Sequence, residues 1–165
     1  MNPRLSEIMR NSESRYLNSQ EQREILEYTE SLPHRFKVAS LIEQKEEAIV
    51  QATVEQIKRR YSSFERYHPR AWEKAARDIQ LSLRYTVQAM ICDDLEFQGD
   101  RLLYWLGTIF HSFGFSPQFN RDTYTFLRDV VKANVPSDAY LLLEPFLEKN
   151  IEILGGMPEP AQVLV

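Results

Sequence analysis

Apolar residues recur at helical spacing along most of this chain, in long segments with few breaks, and this pattern predicts an all-α protein. Leu5, Ile8, Met9, Ser12 and Tyr16 form a first stripe. Asn18 followed by Glu21 has the spacing of a capping box and opens a second helix that carries Ile25, Leu26 and Tyr28 to about Leu32. Pro33 suits the first turn of a third helix, which runs from Phe36 through Leu41 and Ile49 to Ile57, before Tyr61. Ser62 to His68 reads as a loop, and Pro69 restarts a helix through Trp72, Ile79, Leu83 and Val87 to Ile91. Leu102 to Phe113 is strongly apolar and stops at Gly114. Ser116-Pro117 is a cap with a proline at the first helical position, and the helix it opens holds Phe119, Tyr124, Leu127 and Val131. A last helix spans Leu141 to Leu154, with Pro145 as a candidate kink, and Met157 to Val165 reads as a loose tail.

The chain has 165 residues, the size of one domain with one core. The expected division is an N-terminal helical arm over residues 1–32, a bundle over 33–154 and a flexible tail over 155–165. An apolar content of 43% fits a folded chain rather than a disordered one. Trp72, Trp105, Phe110, Phe113, Leu127 and Leu142 are expected to form much of the core, enough for the bundle to stand without a ligand. The net charge of −4 is spread over both signs, with no basic block, which disfavours nucleic acid as a partner. No apolar run reaches the roughly 18 residues of a membrane span, and the start Met1-Asn2-Pro3-Arg4 lacks the apolar segment of a secretory signal. The single Cys92 excludes an internal disulfide and reads as a buried, inert thiol.

The stretch Lys74-Ala75-Ala76-Arg77-Asp78, running on to Leu83-Arg84-Tyr85, resembles the pigment-attachment helix of the phycobiliproteins, the bilin-carrying antenna subunits of cyanobacteria and red algae. Further pieces keep the family's order: Arg15-Tyr16-Leu17-Asn18, then Phe113-Gly114-Phe115-Ser116-Pro117-Gln118-Phe119, then Lys132-Ala133-Asn134. The resemblance covers about residues 11 to 154 and implies a globin-like helical bundle with two extra N-terminal helices. It also implies roles. Lys74 and Arg77 match the residues that bind bilin propionates, Asp78 matches the acceptor of the pyrrole N–H groups, and Phe119 matches an aromatic that touches the pigment. The family's attachment cysteine is replaced by Ala75, so no covalent bilin is expected, and Cys92 lies 17 residues further on, where the family has no attachment.

Two departures argue against pigment altogether. Tyr104 and Trp105 stand where the family has small residues, and large aromatics there would either fill the pigment's space or stack on a ligand. The segment from Ser62 to Arg70 is shorter than the family's loop, which would leave the pocket open or collapsed. For Lys74, Arg77 and Asp78 the competing expectation is a solvated helix face, with Lys74 and Asp78 pairing at i, i+4.

The amphipathic faces of the first 30 residues either mark a protein–protein interface or fold back on the chain's own core. As an interface, Leu5, Ile8, Met9, Tyr16 and Leu17 would supply apolar contacts, with Arg84 and Tyr85 facing them; the resemblance implies that an Asp in the first helix pairs with the partner's Arg at the position of Arg84, and Asn11 in place of that Asp would change partner preference. His34, His68 and His111 include none in the segment around residues 88–100 where a haem ligand would be expected, and they have no metal-binding spacing. Glu43, Glu46 and Glu47 read as a solvated face without a Glu-x-x-His pair. The expectation is therefore a protein that is not an enzyme and binds no metal. It would be a non-pigmented subunit that assembles with itself or with phycobilisome or thylakoid proteins on the cytoplasmic thylakoid face. The alternative is a subunit that binds a bilin non-covalently for light harvesting, sensing or pigment carriage.

Overall fold

The computed structural model describes residues 2–164, and among these the chain is helical, without strands. The elements are α1 (Pro3–Asn11), α2 (Ser19–Arg60), a 3₁₀ turn (Ser62–Tyr67), α3 (Ala71–Cys92), a π-helical turn (Gly99–Leu103), α4 (Tyr104–Ser112), α5 (Pro117–Asn134) and α6 (Ser137–Gly155). Helix α5 packs along α6 and α2, and α2 and α6 both pack on α3, enclosing one core. Its centre is fully buried: Ile49, Leu83, Met90, Leu103, Leu127, Val131, Leu143 and Leu154. Burying each such side chain contributes roughly 1.5–3 kcal/mol.

Local signals set most helix ends. The Asn18 side chain accepts from the amides of Gln20 and Glu21, while Glu21 accepts from the Asn18 amide, closing the capping box. Arg15 adds an ion pair to Glu21 at 2.6 Å. The Arg15 guanidinium, followed by the Asn18 amide, holds the Glu21 carboxyl down at about 2. Ser116 caps α5 by accepting from the Phe119 amide at 3.1 Å. Asp93 takes a left-handed conformation, φ 51°, to end α3.

The N-terminal half differs from the expectation of two helices meeting at Pro33. Helix α2 is one 42-residue helix with Pro33 inside it. An interior proline removes one helical hydrogen bond and crowds the preceding turn, at a cost of about 3 kcal/mol. Tertiary anchors on both sides of Pro33 offset this. Tyr28 Oη donates to the Ile91 carbonyl at 3.0 Å. Buried Arg35 donates to the Met90 carbonyl, and to Asp93 Oδ1 at 2.9 Å. Asn2 Nδ2 donates to the other Asp93 oxygen at 3.1 Å, which ties the start of α1 into the same knot.

Three smaller differences concern the turn after α2, the tail and Cys92. The expected loop after Tyr61 is a 3₁₀ turn because Phe64 is buried there. The tail expected to be loose returns to the bundle: Met157 covers Gly107, and the Leu164 amide donates to the Gly114 carbonyl at 2.8 Å. Gly114 has φ 75°, and a Cβ there would lie 2.5 Å from the Gln162 carbonyl oxygen, so only glycine fits the turn. Cys92, expected to be buried, is half-exposed at the end of α3.

Candidate functional site

A cavity of about 440 Å³ lies between the middle of α3, α4, the start of α5 and the 3₁₀ turn. That volume is within the range of small-molecule sites, roughly 300–1,000 Å³. The capped start of α5 and the turn at Gly114 place Phe115 and Phe119 against the 3₁₀ turn. Phe64 stacks on Phe119 with centroids 5.1 Å apart, and Tyr67 meets Phe115 edge-on at 5.0 Å. These rings make an apolar wall of the kind that holds a flat conjugated ligand.

Helix α3 supplies the charged side. Lys74, Ala75, Arg77 and Asp78 all line the cavity. Lys74 and Asp78 do not pair with each other; Asp78 instead meets Arg77 at 3.4 Å. The Arg77 side chain is 74% exposed and that of Asp78 only 21%. Burial pushes the Asp78 carboxyl above its ordinary 3.8, against the pull of Arg77 and Lys74. Burial, assisted by the Asp78 charge, likewise raises the Tyr67 and Tyr124 hydroxyls. A half-buried carboxylate flanked by two cations can accept hydrogen bonds from a cationic N–H array while the cations meet carboxylates of a ligand. The solvated-face alternative fits Arg77 alone.

Of the two aromatics expected either to fill the pocket or to stack on a ligand, neither fills it. Trp105 lines the cavity but is 62% exposed, and Phe113, also on the lining, is 41% exposed. Both were expected in the core. Both rings are partly open to solvent, and Phe113 packs on Tyr67 with centroids 5.3 Å apart. Tyr104 lies outside the cavity, with its ring against Gly99. The helical offset of about 100° per residue separates it from Trp105. Of the remaining expected core, Phe110 and Leu127 are buried, and Trp72 and Leu142 are half-buried against it. Despite the short segment before α3, the pocket has not collapsed, because Phe64 and Tyr67 wall it.

Sequence reasoning missed Asn120, Thr123 and Tyr124, which line the cavity from α5. Their i, i+3, i+4 spacing behind the Ser-Pro cap was the available signal. The Tyr124 hydroxyl pairs with Ser82 Oγ at 3.1 Å.

The expected interface residues divide. Met9, Asn11 and Tyr16 are exposed, Tyr16 at 98%, while Leu5 and Leu17 are half-buried. Ile8 is buried within the chain at 2% exposure and is not available to a partner as the chain stands. Arg84 reaches Glu46 of its own chain through two 2.7 Å contacts, and Tyr85 stacks on Phe97 with centroids 6.3 Å apart. Among the described residues no cluster of three or more His, Cys, Asp or Glu is placed to hold a metal ion, and no helix is long and apolar enough to cross a membrane.

The fold is a globin-like helical bundle with an arm of α1 and extended α2, and it holds an aromatic cavity beside the Lys74-Ala75-Ala76-Arg77-Asp78 segment. The chain belongs to the phycobilisome protein family: the family's model, described as phycobilisome protein, matches residues 9–154. No curated protein matches the chain.

Proposed function

We propose that this phycobilisome-family subunit acts by binding, not by catalysis, and holds a linear tetrapyrrole of the bilin class without a covalent bond. The observation that carries this is the cavity itself, which keeps its space, its aromatic wall and its Lys74, Arg77 and Asp78 side while presenting Ala75 in place of a thiol. Lys74 and Arg77 would meet the propionates, Asp78 would accept from pyrrole N–H groups, and Phe119 and Trp105 would contact the π-system. The group itself would supply visible absorption. The test is the protein purified from cells that make bilins. A visible band that denaturant releases, with the chain's mass unchanged, is the expected result. The absence of a band, or a mass increase of one bilin on Cys92, overturns it.

Exposed apolar side chains on α1, in the link after it and on the first half of α2 favour a second, compatible role in assembly. Met9, Tyr16, Leu26 and Phe36 are each more than half exposed. Uncovered apolar area of this kind marks an association surface. The arm over residues 1–32 would dock on a second copy or on other antenna subunits, at the cytoplasmic face of the thylakoid. Sedimentation of the Met9→Ser/Tyr16→Ser double variant tests it: an oligomer that dissociates supports docking through the arm, and an unchanged oligomer places the interface elsewhere.

A further inference from the structure

Asn120 is 1% exposed and lines the cavity, yet neither its Oδ1 nor its Nδ2 has a hydrogen-bond partner. Thr123, one turn further along α5 on the same face, is 7% exposed, and its Oγ1 is also unpartnered. The other buried amides differ. Gln98 donates to the Phe146 carbonyl at 2.6 Å and Asn150 donates to Thr86 at 2.9 Å, so each leaves only its oxygen free. Asn120 alone among these three leaves both halves of its amide unused, and it does so at the wall of the aromatic-lined cavity beside Lys74, Arg77 and Asp78. Burying an amide with neither half paired is costly, and a ligand that pairs both removes that cost.

A side-chain amide presents a donor and an acceptor on one edge. Its complement is an amide with N–H and C=O on the same side, which means a cis amide. Ordinary peptide groups are trans and cannot offer both at once, whereas a five-membered lactam is held cis by its ring. We infer that Asn120, supported by Thr123, is the recognition residue for a terminal lactam ring of the ligand, with Oδ1 accepting from the lactam N–H and Nδ2 donating to the lactam oxygen. This deepens the non-covalent tetrapyrrole proposal and rests on it for the ligand's identity. Open-chain tetrapyrroles carry a lactam at each end, and closed macrocycles carry none. The pocket therefore distinguishes open from closed tetrapyrroles by Asn120, and not by the cations of α3, since both ligand types carry propionates.

The test compares biliverdin with metal-free protoporphyrin IX on the full chain and on Asn120→Leu, which keeps the size and removes both polar atoms. The variant should bind biliverdin roughly ten-fold more weakly, as expected for loss of a buried amide pair, and protoporphyrin no more weakly than the parent does. Without ligand it should melt at a higher temperature than the parent, because no orphaned amide remains. Equal biliverdin affinity in the two chains overturns the lactam assignment and leaves the tetrapyrrole proposal standing. If the parent binds neither tetrapyrrole, the tetrapyrrole proposal falls, and the lactam site is judged by a fragment. In that case 3-pyrrolin-2-one should move the Asn120 side-chain NH₂ resonances in a ¹H–¹⁵N spectrum of the parent. Unmoved resonances overturn the assignment.

Discussion

Two polar clusters sit in this bundle, and the chain treats them in opposite ways. At the end of α3, Arg35 is buried and fully engaged, donating to Ser31, to the Met90 carbonyl and to Asp93, which also accepts from Asn2. At the cavity, Asn120 and Thr123 are equally buried and engage nothing. Buried polar groups are normally satisfied by protein or by water, so the first cluster serves the fold, while the second leaves its groups free for a ligand of the kind proposed above. Apolar packing is continuous between them through Ile79, Leu83 and Met90 of α3. The bundle thus closes one polar cluster on itself at the end of α3 and leaves another unpaired on α5, at the cavity wall.

Breaking the closed cluster should have the largest effect. Arg35→Ala leaves the Met90 carbonyl and Asp93 without their donor and releases one of the two anchors around Pro33. Asp93 is partly solvated, with a side chain 45% exposed, which moderates the loss to about 2–4 kcal/mol in urea unfolding. A change below about 0.5 kcal/mol, the level of an ordinary surface substitution, would mean that Pro33 is tolerated without this anchor.

Ser116→Ala removes the α5 cap and should cost about 1 kcal/mol, because the Phe119 amide loses its acceptor. The sharper readout is on the cavity side. The first turn of α5 aims Phe119 and Asn120, so biliverdin affinity should fall as well; unaltered affinity would show that packing alone positions the turn.

Asp78→Asn should act in the opposite direction on stability. Burial raises the Asp78 carboxyl above 3.8, so the folded state holds the proton more tightly than the unfolded state. Its relative stabilisation is fully present below the unfolded value and is lost as pH rises through the folded value. At neutral pH the charged group is therefore a burden, and the variant should melt about 2–4 °C higher, corresponding to about 1 kcal/mol. That difference should vanish as pH falls below the ordinary carboxylate value. A gain that persists in acid would assign the effect to packing and not to charge. The same variant should bind biliverdin more weakly.

Trp105→Ala should have the smallest effect on stability, within about 0.5 kcal/mol, because the ring is 62% exposed. A clear loss of biliverdin affinity with stability unchanged would place the ring on the ligand. A large destabilisation would show that Trp105 closes the cavity for the fold's own sake.

Much of the fold follows from local pattern. The 3.6-residue apolar period, the Asn18–Glu21 box, the Ser116-Pro117 start and the Gly114 turn determined helix type and most boundaries, because caps and turns involve residues only a few positions apart. Lys74, Arg77, Asp78 and Phe119 were singled out by their resemblance to a family segment, and all four line the cavity. The continuity of α2 through Pro33 was not legible. Proline breaks helices locally, and the anchors that override it come from residues such as Ile91 and Asp93, 58 or more positions away. Nor could the fate of two neighbouring aromatics be read from their order. One helical step sends Trp105 to the cavity wall and Tyr104 to Gly99, and only the orientation of α4 after the π-helical turn decides which goes where. The unpartnered state of Asn120 is wholly a tertiary property. A hydrogen bond is missing only relative to every neighbour that could have made it, and those neighbours come from α3, α4 and the 3₁₀ turn, which the chain brings together only once it has folded.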